Sequence, residues 1–194
     1  MSLLTGKQIN VLAIGGSAGS IPVLISLLKS ISKPVPYTVI IVIHRLKNVH
    51  SELSLLLSGG LGYLQVIEPD DKMPVEPDRL YLAPQNYHLL IEADLTFSLD
   101  YSEPVLFSRP SIDVTFESVA QVFGQGAVAI LLSGANEDGA RGIRSIIEEG
   151  GTAIIQAPHT AAYQSMPLAA IRLNQEANVL QPEEMIEQLR RSTG

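Results

Sequence analysis

The chain has 194 residues, with 13 Lys+Arg against 20 Asp+Glu for a formal charge of −7, and 46% of its residues are hydrophobic against 17% charged. That apolar content excludes a disordered chain and suits one globular domain over residues 1–194, while the acidic balance gives no footprint for a phosphate backbone, so no nucleic-acid partner is expected. The absence of cysteine removes disulfides, thiol nucleophiles and Cys-ligated zinc, and suits a reducing, cytoplasmic setting.

The opening MSLLTGKQIN has no charged region followed by a long apolar run, and no later stretch approaches the roughly 20 apolar residues that span a bilayer, so neither export nor membrane insertion is expected. Apolar runs without polar alternation at Ile9–Ile14, Tyr37–Ile43, Ala127–Leu132 and Thr152–Ile155 predict strands buried on both faces, as in a parallel sheet. Between them, Leu24, Leu27, Leu28 and Ile31 follow Pro22 at helical spacing, and Ala140, Ile143, Ile146 and Ile147 repeat the pattern before Gly150-Gly151. Arg79–Leu82, Tyr87–Glu92 and Leu95–Leu99 read as short antiparallel pieces attached to the sheet edge, and helices are predicted over about Ser111–Phe123 and Pro182–Arg191. The result is a three-layer, doubly wound α/β domain with a mainly parallel sheet and a short antiparallel hairpin region.

Three strand ends carry chemistry. Ile9–Ile14 runs into Gly15-Gly16-Ser17-Ala18-Gly19-Ser20, which reads three ways. As a phosphate loop it is incomplete, because Ser17 and Ser20 stand where GxGxxG needs glycine. As a strand-to-helix turn with G-x-S-x-G it would expose the Ser17 hydroxyl beside helix amides able to hold an oxyanion; as a plain turn, Ser17 would cap the helix. The second strand ends in His44, where a dinucleotide-binding protein tends to place an acid. An imidazole there is either a structural histidine or the base that makes a neighbouring serine nucleophilic. Asp138 lies beyond the third buried run, so Ser17, His44 and Asp138 are the catalytic candidates, in a chain order unlike the Ser-Asp-His order of α/β-hydrolases. His50, His88 and His159 have no comparable placement, and no HExxH or carboxylate cluster suggests a metal; no cofactor is expected.

At this point the chain resembles the catalytic domain of the CheB chemotaxis receptor methylesterases (protein-glutamate methylesterase/glutaminase). The blocks that carry the likeness are the IGGSAG turn, Leu82-Ala83-Pro84 with His88-Leu89, Arg109-Pro110-Ser111-Ile112-Asp113, SGANEDGARG, and Gly150-Gly151-Thr152 with Gln156, Thr160 and Ser165-Met166-Pro167. The resemblance implies Ser17 as nucleophile, His44 as general base and Asp138 as orienting acid. It also implies hydrolysis of glutamate γ-methyl esters on the cytoplasmic helical bundle of methylated chemoreceptors, with glutamine deamidation as a side activity. Amides around Gly16–Ala18 and near Ala135 would hold the oxyanion.

The chain departs from the family pattern at Ala18, Ala135, Asn136 and Arg45-Leu46, which bears on rate and substrate preference. The family's usual N-terminal receiver domain has no counterpart before Ile9, so activity independent of phosphorylation is expected. Arg109 and Asp113 could line the substrate cleft, or Asp113 could complement its helix dipole; Met166-Pro167 could wall the site or open a helix; Thr160 could support the site or serve a turn. The competing readings are a non-catalytic chemosensory signalling module of the same fold and nucleotide binding through Gly15–Ser20.

Overall fold

A computed structural model describes residues 3–31, 34–45, 52–61 and 66–192; His50 and Leu46 lie outside the described residues. The buried runs become β1 (Val11–Gly16), β2 (Thr38–Ile43), β7 (Ala127–Leu131) and β8 (Thr152–Gln156) of one seven-stranded sheet. The shorter β3 (Val66–Ile67), β4 (Leu80–Leu82) and β9 (Asn178–Leu180) complete the order β3-β4-β2-β1-β7-β8-β9, every neighbour parallel. The first strand begins later than expected, because Asn10 already turns its amide to the Gly126 carbonyl.

Period-two alternation sends the sheet's two faces to two cores. Leu12, Ile14, Val39, Ile41, Val128 and Ile130 join the layer of α1 (Ile21–Ser30), α2 (Leu53–Leu61) and α6 (Pro182–Ser192). Val11, Ala13, Ile40, Val42, Ala129 and Leu131 join the layer of α3 (Ile112–Phe123), α4 (Ala140–Glu148) and α5 (Ser165–Leu173). On that second face α3 and α4 approach closely through Gly142, where a Cβ would lie 2.5 Å from the Phe116 Cβ.

One expectation is corrected. Arg79–Leu82 is no antiparallel edge piece: Leu80–Leu82 pairs parallel with β2 inside the main sheet, its three residues buried. The antiparallel pair is confined to β5 (His88–Ile91) and β6 (Phe97–Asp100), which form a separate two-stranded sheet. That hairpin docks on α3, with the Thr115 hydroxyl donating to the Leu89 carbonyl and the Ile91 amide donating to Ser118 Oγ. A strand of three residues carries no period to separate the two arrangements; pairing decides it.

Candidate active site

The carboxyl ends of β1, β2 and β7 converge. Gly16 is in register with Ile43 and Gly15 with Leu131, so Ser17 stands between the exits of the two flanking strands. The His44 amide donates to the Gly16 carbonyl at 3.3 Å, keeping the chain extended beside β1, where adjacent strands run about 4.8 Å apart. On the other side the Ser17 amide donates to the Ser133 carbonyl at 2.9 Å. Ser17 is half-buried and does not cap α1: the N-cap is Ser20, whose hydroxyl donates to the Ser17 carbonyl.

Asp138 is completely buried, at the turn that enters α4 through Gly139 (φ 99°). The amide of Ile112 donates to its Oδ2 (2.7 Å), and the amide of Asp113 (3.0 Å) and hydroxyl of Ser111 (2.8 Å) donate to its Oδ1. Asp138 is therefore the anion at the N-terminus of α3, a helix neighbouring its own. The remaining α3 amides are also matched: Ser111 N–H donates to His88 Nδ1 and Val114 N–H to the Ser111 hydroxyl. Asp113 reciprocates, its Oδ1 accepting the amides of Gly139 and Gly142 at the start of α4, both at 2.8 Å. The two helices cap each other with exchanged aspartates.

His44 Nε2 lies 2.7 Å from Asp138 Oδ2. Burial alone would raise the Asp138 pKa, but the hydrogen bond from His44 and the amides of Asp113 and Ile112 outweigh it and hold the carboxyl below its usual range. An ionised carboxylate only accepts, so Nε2 carries a proton, and in the neutral imidazole Nδ1 presents the lone pair. The hydroxyl found on that nitrogen is Ser108's, at 3.2 Å. Among the described residues the Ser17 hydroxyl has no hydrogen-bond partner. Asp113 differs from Asp138: burial, opposed by the Gly142 amide and reinforced by the Asp138 charge, pushes its pKa up to about 6.

The remaining candidates divide. Thr160 supports the site at a distance: Gln156 Nε2 donates to the Thr160 carbonyl and hydroxyl, while Gln156 Oε1 accepts the amide of Ser133, whose carbonyl holds Ser17. Met166 is buried, near the start of α5, its amide donating to the Gly134 carbonyl. Arg109 donates to the carbonyls of Tyr101 and Ser102 and stacks over the Tyr101 ring, which fixes the chain leaving β6. His88 is buried between the Glu103 carbonyl and the Ser111 amide, and His159 is exposed. Arg45 pairs with Glu68 and donates to the Ala83 carbonyl. Of the amides considered for an oxyanion, those of Ser17 and Gly134 are taken by the Ser133 and Tyr163 carbonyls. No group of three or more potential metal ligands, and no helix long and apolar enough to cross a membrane, occurs among the described residues.

The family model described as CheB methylesterase matches residues 12–189. The chain belongs to the CheB methylesterase family. A Leptospira interrogans protein provisionally named protein-glutamate methylesterase/protein-glutamine glutaminase is 38% identical over 91% of this chain and 91% of its own length. Protein-glutamate methylesterase/protein-glutamine glutaminase 2 of Methanospirillum hungatei is 32% identical over 95% of this chain, which spans only 52% of that longer relative. The crystal structure of the Thermotoga maritima CheB methylesterase catalytic domain matches with a TM-score of 0.84 and 28% identity, over 92% of this chain and 98% of that one.

Sequence reasoning missed Ser108, the part Ser111 plays on Asp138, the contacts by which Asn136, noted only as a departure from the family pattern, ties Ser108 to Asp138, and the capping of α4 by Asp113. Only Ser111 had a local signal, a serine directly before a helical pattern. Asn136 acts across the chain: its Nδ2 donates to Ser108 Oγ and to the Leu106 carbonyl, and its Oδ1 accepts the Asp138 amide.

Proposed function

We propose that this chain hydrolyses glutamate γ-methyl esters on the cytoplasmic helical bundle of chemoreceptors, with Ser17 as nucleophile, His44 as general base and Asp138 as the acid that orients it. The observation that carries this reading is the imidazole held at 2.7 Å on a buried carboxylate at the mouth of the Ser17 turn. Family membership and the activities named for the relatives supply the substrate class. Ser17 Oγ attacks the ester carbonyl as its proton passes to His44 Nδ1. The tetrahedral intermediate then collapses, methoxide leaves with that proton as methanol, and the glutamyl group remains on Ser17. Water, deprotonated by His44, attacks the acyl-enzyme carbonyl; the bond to Ser17 Oγ then breaks, Ser17 takes the proton back from His44 and the glutamate is freed. Because Asp138 holds Nε2, the working nitrogen is Nδ1, the reverse of the arrangement in serine proteases.

The amides of Ala18 and Ala135, on the turns flanking Ser17, are the candidate oxyanion donors, each worth about 2.7–4 kcal/mol in comparable sites. Incubation with radiomethylated chemoreceptor tests the reading: volatile methanol should be released in proportion to the protein added. Its absence, with binding to the receptor retained, would favour a signalling module that keeps the fold without the reaction.

A further inference from the structure

The nitrogen that the proposed reaction requires is already occupied. His44 Nδ1 accepts from Ser108 Oγ at 3.2 Å, and Ser108 is held where it is by the chain around it. Val105 and Ser108 exchange backbone hydrogen bonds, 3.1 and 2.8 Å, across a two-residue turn in which Leu106 (φ 47°) and Phe107 (φ 65°) both adopt the left-handed region. Asn136, two residues before Asp138, fastens that turn from the other side through the Leu106 carbonyl and the Ser108 hydroxyl. The turn, the base and the acid loop are thus one connected unit, and Ser17 stands outside its hydrogen bonds.

We infer that Ser108 is a positioning residue that holds the proton-accepting nitrogen of His44, and that Ser17 gains this nitrogen only when Ser108 releases it. The inference rests on the reading of Ser17 as nucleophile and His44 as base. The hydrogen bond from Ser108 exists in the ground state and has to be given up before Ser17 can transfer its proton, so it lowers the reactivity of Ser17. At the tip of the turn that carries Ser108, Phe107 is fully exposed and Leu106 is exposed beside it.

The test is the rate at which a small fluorophosphonate modifies the protein, with the modified serine identified by peptide mass. In this reaction Ser17 Oγ bonds to phosphorus, fluoride leaves and the hydroxyl proton passes to His44, so no receptor is needed. The wild type should be labelled on Ser17, Ser108→Ala should be labelled there about two- to tenfold faster, the range of one hydrogen bond released, and Ser108→Thr, which keeps a hydroxyl, should return to the wild-type rate. A general loosening of the site would slow labelling and would not be reversed by threonine. Labelling of Ser17 at an unchanged or reduced rate in Ser108→Ala overturns this inference and leaves the proposed nucleophile intact. Labelling of Ser108 itself, or of neither serine, overturns both.

Discussion

Asp138 does two jobs at one point, and its replacement separates them. Its Oδ1 serves the Ser111 hydroxyl and the Asp113 amide while Oδ2 serves His44 and the Ile112 amide, so asparagine cannot satisfy all four: its amide group would face donors on one side. Asp138→Asn should lower turnover by roughly 10³–10⁴-fold, because the imidazole loses the partner that fixes its tautomer. It should also lower unfolding free energy by about 1–3 kcal/mol, because one buried amide loses its acceptor. Methanol release and urea melts measure the two effects. Full activity would point to another acid, yet Glu137, the nearest, is exposed, whereas Asp138 is the carboxylate on His44. Ser17→Ala should abolish methanol release with little effect on melting, since the Ser17 hydroxyl caps no helix. The placement of Ser17, His44 and Asp138 beyond strand ends was legible in the sequence because each follows a buried run whose direction is fixed by the parallel sheet. Ser108 was not, because it approaches His44 from 64 residues away on a Leu-Phe turn. Such turns usually announce themselves with Asn-Gly, and this one does not.

At the scale of elements, α3 and α4 are joined by exchanged caps and by contact through Gly142. Gly142→Ala would place its Cβ 3.2 Å from the Asp113 Cα and 2.5 Å from the Phe116 Cβ, so the helices must part. A loss of about 1–3 kcal/mol is expected, with turnover falling as well because Asp113 and Asp138 shift together; calorimetry showing an unchanged melting temperature would contradict the close approach. The caps also respond differently to pH. With its pKa pushed up to about 6, Asp113 keeps a proton in the folded protein that the unfolded chain has released. Its contribution to stability is therefore fully present below the ordinary carboxylate range and is lost as pH rises through about 6. Asp138 acts in the opposite sense: its pKa is lowered, so its contribution is present above the ordinary range and lost as pH falls below it. Asp113→Asn should thus gain stability relative to wild type between pH 4.5 and pH 7 in paired urea melts. A difference that stays constant with pH would show that Asp113 titrates normally. The exchange of caps could not be read from sequence, since nothing local to Asp113 or Asp138 says that its carboxylate serves the amides of the neighbouring helix.

Across the molecule, the chain moves outward from β1 through β2 to one side of the sheet and later through β7 and β8 to the other. The site lies at the carboxyl ends of strands where these two windings part, the position at which open α/β sheets place their ligands. The four long central strands were legible from hydrophobic runs alone; β4 was legible as a short strand but not in its pairing, and β3 and β9, of three residues or fewer, depend on their neighbours for their existence. Support also crosses the sheet: Gln156 at the end of β8 holds the Ser133 amide, and Ser133 holds Ser17 at the end of β1. Gln156→Leu should leave the Ser133 amide without its acceptor, lowering stability by about 1–3 kcal/mol and reducing turnover by moving Ser17. A stable variant with wild-type methanol release would show that the β8 link does not reach the site.

In the proposed reaction Ser17, served by the His44–Asp138 pair, carries the glutamyl group between the two half-reactions. Rapid acid quenching of the protein during turnover of methylated chemoreceptor, followed by proteolysis and mass analysis, tests it most directly. A receptor glutamyl peptide joined by an ester bond to the peptide containing Ser17 is expected. The same adduct on Ser108, or steady methanol release with no acyl-enzyme on any serine, would contradict it.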